Sequence, residues 1–595
     1  MLEQICGPSD LKKLDIKQLT ALCQEIREHL VATVTSTGGH LASNLGVVEL
    51  TVALHYVFDI DDKFVWDVGH QSYVHKLLTG RFANFDTLRQ KDGVSGFCDP
   101  AESVFDASVS GHAGVSVSTA VGLATARDLN GQNHNVVAIL GDGALTNGEV
   151  YEALNNIKDT KMLIVLNDNG MSIGKNVGSL PKNLSRMRVG KYDKRKERLK
   201  RNLQKTPLIG KPLYKFLRWV KGGIKRLVIK NSFFDAFDIK YVGIVDGHDL
   251  KQLIYYLEKI KKNVDKPCVL HLYTKKGKGY QPAENDAEAY HNVYVGADKV
   301  GEQLSSLVVE EQMRNLMQND ERVVAVSAAM QDSVGLGNLA KSFPQRIFDV
   351  GIAESHAVTF AGGLALAGKK PYVLIYSTFL QRAYDQILHD VAISNLPVTF
   401  LLDRSGFCGA DGKTHQGLQD LSYLSNIPNM TVWTPSTTLQ LKQMMEKSKD
   451  FGGPLAIRYP KSLLQSETIG FDEHGWQVVT KGSIKLLAVG KNMLQTALNL
   501  SQKYPVEVVS VTSVKPLDEK YLSTVTPDDI VITLEENQVS GGFGSLVAQR
   551  LANVGCKVIN CAVDDKFVAH GSVADQLYCC GLGQDSIESV ICNCL

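Results

Sequence analysis

Short apolar runs alternate with longer helical patterns along the whole chain of 595 residues, and this alternation narrows the fold more than any other feature. The runs fall at residues 136–140, 163–166, 323–326, 373–376, 398–402, 485–489, 506–511 and 530–534. A strand, a helix and a second strand form a βαβ unit, whose crossover leaves the two strands parallel in one sheet. The chain therefore reads as α/β, with mostly parallel sheets flanked by helices. It is too long for one core. Three such blocks are expected, at 1–300, 301–472 and 473–595.

Bulk chemistry sets further bounds. The chain is 44% apolar and 21% charged, the balance of an ordinary globular protein. A net charge of +1 gives no global field for nucleic acid or a membrane surface. No run of 18 apolar residues is present, so no spanning helix is expected. The first residues, MLEQICGPSDLKKLD, lack the basic and apolar regions of a secretory signal. Eleven cysteines occur without any Cys-x-x-Cys pair, six of them between Cys556 and Cys594. Free thiols in an intracellular, cytoplasmic chain are the simplest reading. One segment departs from this balance: residues 186–230 carry 17 Lys and Arg against two acids, Asp193 and Glu197. A solvated, mobile insert is the bland reading. The run Leu213-Tyr214-Lys215-Phe216-Leu217-Arg218-Trp219-Val220 leaves open a surface that meets a membrane or an anionic site.

The chemistry concentrates where strands end. Gly141-Asp142-Gly143 follows the run at 136–140, and Asn167-Asp168-Asn169 closes the run at 163–166. In an open parallel sheet, ligands sit beyond the carboxyl ends of the strands. Asp142 and Asn169 should therefore reach the same sheet edge. A carboxylate, an amide oxygen and a nearby carbonyl, that of Met171, suit a hard cation that also takes phosphate oxygens, as magnesium does. A helix starting near Thr146 adds amide dipoles that favour a diphosphate. Two ordinary βα turns would give the same short pattern. The spacing nevertheless resembles the thiamine-diphosphate-binding motif. In the second block Glu354 is expected at a helix N-terminus, where a capping acid is the plain alternative. A buried glutamate with a raised pKa is also what thiamine diphosphate needs beside its aminopyrimidine ring.

Longer runs carry a closer resemblance. Ile352-Ala353-Glu354-x-His356-Ala357-Val358-Thr359-Phe360 is one; residues 376–386, YSTFLQRAYDQ, are a second. Asp403-Arg404-x-Gly406 with Gly409-Ala410-Asp411-Gly412-x-Thr414-His415-Gln416-Gly417 is a third. Asp67-Val68-Gly69-His70-Gln71 and Tyr280-x-Pro282-Ala283-Glu284 agree as well. Together they resemble the 1-deoxy-D-xylulose-5-phosphate synthase family, from about residue 30 into the third block. The resemblance implies a transketolase-like fold and a transferase that condenses pyruvate with D-glyceraldehyde 3-phosphate, with loss of carbon dioxide. The product, 1-deoxy-D-xylulose 5-phosphate, opens the non-mevalonate isoprenoid pathway and feeds thiamine and pyridoxal biosynthesis. It implies thiamine diphosphate and Mg2+ as cofactors, with Asp142, Asn169 and the Met171 carbonyl on the metal. It implies that His70, Gly111, His112, Ala113, Gly143, Ala144, Asn169 and Tyr280 line the cofactor and that Glu354 activates it. A homodimer is implied too.

Residue chemistry supplies the remaining candidates. His40 and His415 can donate to a developing alkoxide. Arg404 and Arg458, with Arg382 and Tyr376, suit a terminal phosphate, and Asp411 is placed to orient one of these groups. His55, His134 and His474 lie outside the motifs and are assigned nothing. The run at 243–249, GIVDGHD, reads as a turn shaping the cofactor cleft. Ala113 and Gly114 replace common serines, Gly170 a larger polar residue, and Lys461 an arginine; Cys98-Asp99 lacks the usual basic pair. The third block carries no obvious catalytic group, although its strand–glycine-turn–helix element at 535–544 has the form of an anion site. A transketolase with another donor is the alternative enzyme. Residues 380–386 and the Asp403-Arg404 pair argue against it.

Overall fold

The computed structural model describes residues 1–171, 233–295, 301–473 and 475–595, so the basic insert at 186–230 and His474 lie outside the described residues. The chain forms two compact units. The first comprises residues 1–34, 40–83 and 97–293, and the second 35–39, 84–96 and 294–595.

The first unit is built on five strands: β1 (Lys63–Trp66), β2 (Val136–Gly141), β3 (Leu163–Asp168), β4 (Lys240–Asp246) and β5 (Cys268–Tyr273). They pair in the order β1-β2-β3-β5-β4, all parallel. β3 is buried along its length and β2 up to its last residue, Gly141, as the continuous Val/Ile/Leu runs require of a sheet covered on both faces. The register sets Gly141 opposite Asn167, so both chains leave the sheet at one edge. Most of the run at 243–249 is not a turn. Residues 243–246 complete β4, and only 247–249 turn before the helix Leu250–Asn263.

The second unit holds two large sheets and a two-stranded ribbon. Its strands are β6 (Glu302–Leu304), β7 (Val323–Ser327), β8 (Ile347–Asp349), β9 (Lys370–Tyr376), β10 (Thr399–Asp403), β11 (Thr431–Trp433) and β12 (Leu455–Arg458). They continue as β13 (Ser462–Leu464), β14 (Gln477–Val478), β15 (Ile484–Val489), β16 (Val506–Val511), β17 (Ser513–Lys515), β18 (Ile530–Gln538) and β19 (Lys557–Val563). One sheet runs β17-β11-β12-β10-β9-β7-β8 and the other β14-β16-β15-β18-β19. Only β17 and β14 run antiparallel to their neighbours in these sheets. β17 comes from the third block yet completes the sheet of the second. The β14–β19 sheet packs Leu486, Val508 and Ile532 against Met493 and Leu494 of the helix Lys491–Ser501 and Ile587 and Ile591 of the helix Gln584–Cys592. Phe407 and Leu418, from the segment after β10, enter the same core.

The suspected anion site at 535–544 is already filled. The Glu535 carboxylate accepts the amides of Phe543 and Gly544, 2.8 Å each, at the start of the helix Phe543–Leu551. Burial holds its carboxyl up at about 7, and these two amides pull against that shift. The helix dipole is thus used internally.

Candidate active site

The principal candidate side chains sit at or beyond the carboxyl ends of strands, where an open parallel sheet binds its ligands. In the first unit Asp142 follows β2 and is 2% exposed. Its amide donates to the Asn167 carbonyl, and its Oδ2 accepts the Gly170 amide at 2.8 Å. Gly170, at φ +81, supplies that amide from a backbone that larger side chains rarely adopt. Asn169 follows β3, and its Oδ1 accepts the Met171 amide at 3.1 Å. Asp142, Asn169 and Met171 are therefore brought together at one edge. The helix expected near Thr146 begins later: residues Ala144–Thr146 form a 3-10 turn, and the helix runs Gly148–Asn156 with Asn147 as its cap. The Asn147 side chain accepts the Glu149 amide at 3.0 Å.

The loop bearing Gly111, His112 and Ala113 is held from beneath by Asp67. Its carboxylate accepts the amides of Gly114 and Ser116 at the start of the helix Ser116–Leu129. Gly114 has φ +90, and a Cβ there would lie 2.5 Å from the Asn147 side chain. Only glycine fits. His40 and His70 are joined through Asn44, whose Nδ2 donates to both backbone carbonyls, at 2.6 and 2.7 Å.

Two groups here were missed in the sequence. His291 lies 5.6 Å, ring to ring, from His40 and 5.4 Å from His70. Lys276, 6% exposed, is pushed down to about 8 by burial, while the charges of Asp142 and Glu288 act to raise it. Burial lowers His70 to about 3 and holds His291 well below its ordinary value, and Lys276 pushes both the same way. His70 is therefore neutral at pH 7. Lys276 had one visible signal: it stands between glycines and lysines directly after β5. His291 had none beyond a polar segment. Tyr280 is half-buried at the start of the turn of helix Gln281–Asn285.

In the second unit Glu354 is the first residue of the helix Glu354–Leu366, five residues beyond β8. The cap position is Ala353, which makes no side-chain cap bond. Glu354 is 5% exposed, and burial raises its pKa; Arg382, with Nη1 3.9 Å from Oε2, opposes the shift. Tyr376 ends β9 and pairs in register with Asp403 of β10; Arg458 of β12 pairs with Leu402 of the same strand. Arg404 lies over the Tyr376 ring at 4.8 Å and bonds the Asp403 carboxylate. Burial drives the Tyr376 hydroxyl upward, and Arg404 acts against that. Arg458 commits Nε to Asp420 at 2.9 Å and Nη2 to the carbonyls of Gly417 and Glu536, which fixes the plane of its guanidinium.

His415 closes the 3-10 turn Gly409–Thr414, with Nδ1 2.9 Å from the Thr414 hydroxyl and its ring 5.6 Å from Phe379. Burial lowers its pKa, and Asp411 counters. Asp411 itself bonds neither Arg404 nor Arg458. Its Oδ1 accepts Nη2 of Arg89 at 2.7 Å, a residue that no sequence motif singles out. Burial raises the Asp411 carboxyl, but Arg89, His415 and Arg404 together hold it below its ordinary range.

The comparisons with known proteins follow this division of the chain. Residues 2–274 match the family model described as 1-deoxy-D-xylulose-5-phosphate synthase. Residues 304–467 match the transketolase pyrimidine binding domain, and 478–587 the transketolase C-terminal domain. The 1-deoxy-D-xylulose-5-phosphate synthase of Clostridium kluyveri is 46% identical over 99% of this chain and 97% of its own length. That of Clostridium tetani is 45% identical over 97% of each chain, and that of Caldanaerobacter subterraneus 44% over 99% and 98%. The chain has a transketolase-like fold, and it belongs to the 1-deoxy-D-xylulose-5-phosphate synthase family.

Proposed function

We propose that each of these residues acts in one reaction, the condensation of pyruvate with D-glyceraldehyde 3-phosphate to 1-deoxy-D-xylulose 5-phosphate and carbon dioxide. When bound, thiamine diphosphate would supply a nucleophilic carbon. The observation that carries the assignment is Glu354: a carboxyl 5% exposed, raised in pKa by burial, at the start of a helix whose cap position makes no side-chain bond. A carboxyl whose pKa is raised can share a proton with a ring nitrogen of the aminopyrimidine.

The donor set at the ends of β2 and β3 fits magnesium. It offers a carboxylate, an amide oxygen and a backbone carbonyl, all hard oxygens. Asp142, Asn169 and the Met171 carbonyl would hold the metal. Lys276, Gly143, Ala144 and the loop 111–113 would meet the diphosphate, with His70 and Tyr280 along the cofactor. His40 and His415 would donate to the oxygen that gains charge. Arg404, Arg458, Arg382 and Tyr376 would take the aldehyde's phosphate, with Asp411 setting the charge around them. We divide the chain into the three domains 1–300, 301–472 and 473–595, and infer a cytoplasmic homodimer. Among the described residues no helix is long and apolar enough to cross a membrane, and no cysteine is paired. Light scattering should give about twice the chain mass of 65.2 kDa.

The direct test is a coupled assay with pyruvate and D-glyceraldehyde 3-phosphate, with and without thiamine diphosphate and magnesium. Carbon dioxide release without sugar phosphate formation would remove the acceptor half of the assignment. Arg404→Leu should raise the KM for D-glyceraldehyde 3-phosphate by about 10- to 150-fold, since one charge-assisted hydrogen bond contributes ~1.5–3 kcal/mol. The KM for pyruvate should stay unchanged; an equal rise in both would place Arg404 elsewhere.

Lys276 sets a pH dependence. With its pKa near 8 in the folded chain, the ammonium is lost as pH rises through that value. Affinity for thiamine diphosphate should therefore fall from pH 7 to pH 9, and Lys276→Met should flatten the profile. Calorimetric titration across that range checks it, and a wild-type affinity that holds steady would exclude Lys276 from the diphosphate.

A further inference from the structure

Behind the candidate diphosphate site, Arg27 and His248, linked through Glu49, grip the backbone of the loop that carries Lys276. Glu49, on the helix Val48–Val57, is 9% exposed and stands between two partners. Its Oε1 bonds Nη2 of Arg27, on the helix Ile16–Thr37. Its Oε2 is 3.2 Å from Nδ1 of His248. Both partners continue to the loop after β5. Nε2 of His248 accepts the Lys275 amide at 2.9 Å, and Nε of Arg27 donates to the Lys278 carbonyl at 3.1 Å. The hydrogen bonds fix the tautomer: Nε2 accepts, so the proton sits on Nδ1 and is donated to Glu49. Burial would raise the Glu49 carboxyl, but His248 and Arg27 hold it below its ordinary range, so it stays charged. The fit is close. Gly279, at φ +86, would place a Cβ 2.8 Å from Cδ of Arg27. On its other flanks the loop is tied by the Gly277 amide to the Ala42 carbonyl, 2.8 Å, and by the Gly279 amide to Glu284, 2.8 Å.

We propose that Glu49, through His248 and Arg27, is a positioning residue for the cofactor: it fixes the backbone of residues 275–278 so that the Lys276 ammonium is aimed at the diphosphate. The inference rests on the function proposed above. It assigns a purpose to His248 in the run at 243–249, and to Arg27 and Glu49, which belong to none of the motifs. Lysine has four rotatable bonds, and a free loop would dissipate its orientation. The bonds from His248 and Arg27, one on each side of Lys276, join the ties at Gly277 and Gly279 in fixing the backbone from which the buried side chain extends before the ligand arrives. The carboxylate is the shared centre, because neither Arg27 nor His248 bonds the other.

Two variants and two readouts test this on the full chain. Glu49→Gln removes the charge, and His248→Phe keeps a ring while losing both bonds. Each should weaken thiamine diphosphate binding about tenfold in calorimetric titration at fixed magnesium, equivalent to ~1.4 kcal/mol. At saturating cofactor the KM for pyruvate should be unchanged. Without cofactor, trypsin should cut after Lys275 or Lys278 faster than in the wild type, as mass spectrometry of the fragment ends will show. If Glu49→Gln fails to fold, His248→Phe carries the test. Wild-type affinity in the variants overturns the proposal. So does faster cleavage combined with a wild-type chain that binds no thiamine diphosphate, and that result also removes the function on which the inference rests.

Discussion

Glu354→Gln should lower kcat by about 10²–10⁴, the range set by a single general acid or base, while thiamine diphosphate still binds. Glutamine keeps the shape of the side chain and can still donate a hydrogen bond. It cannot exchange a proton with the ring. The same substitution should leave the protein as stable or more stable at pH 8. Burial raises the folded-state pKa of Glu354 above its ordinary value. A raised carboxyl favours the folded state at low pH and loses that contribution as pH rises through the folded pKa. A neutral amide at this position carries no such penalty, so the gain in melting temperature should appear near neutral pH and vanish below about pH 4, under the unfolded pKa. Arg382, at 3.9 Å, offsets part of the penalty and reduces the gain. A kcat equal to the wild type would mean that another group activates the cofactor. A lower melting temperature at pH 8 with lost activity would instead mark Glu354 as structural.

The residues legible in the sequence share one property: each follows an apolar run or sits inside a long motif. Asp142, Asn169, Tyr376 and Arg404 lie at or just past the ends of runs that form strands, and strand ends are where an open parallel sheet places its ligands. The groups that escaped notice are defined by burial and by neighbours distant in the chain. Lys276 stands out only because Asp142, 134 positions earlier, lies close enough to act on its pKa. Arg89 contacts Asp411 across 322 positions, and Glu49 contacts His248 across 199. No local pattern carries such pairings. β17 is hidden for a similar reason. Three residues, Ser513–Lys515, have too little pattern to name a sheet, and their partner is Val432-Trp433 of the preceding block. The start of the helix after Asp142 moved from Thr146 to Gly148 because Asn147, a strong cap, bonds the Glu149 amide. The glycine turn at 540–544 looked open to an anion, since only the folded chain returns Glu535 to its amides.

Asp142→Asn should weaken magnesium-dependent binding of thiamine diphosphate by more than about 100-fold, or ~2.7 kcal/mol, without unfolding the chain. The fold should survive because the asparagine Oδ1 can still accept the Gly170 amide that the carboxylate now holds at 2.8 Å. Two electrostatic losses then act together. The metal loses its anionic ligand, and an amide oxygen alone does not neutralise a divalent cation. Lys276 loses the charge that helps to raise its pKa, so burial drives it below its present value of about 8. A larger share of Lys276 is then neutral at pH 7, and the diphosphate loses a second cation. The two effects predict a signature that a simple metal-site defect lacks: excess magnesium restores only part of the affinity, and lowering the pH from 8 to 6.5 restores more. Calorimetric titration at both pH values, with magnesium varied, separates the contributions. Recovery by magnesium alone would uncouple Lys276 from Asp142, and unchanged affinity throughout would place the metal elsewhere.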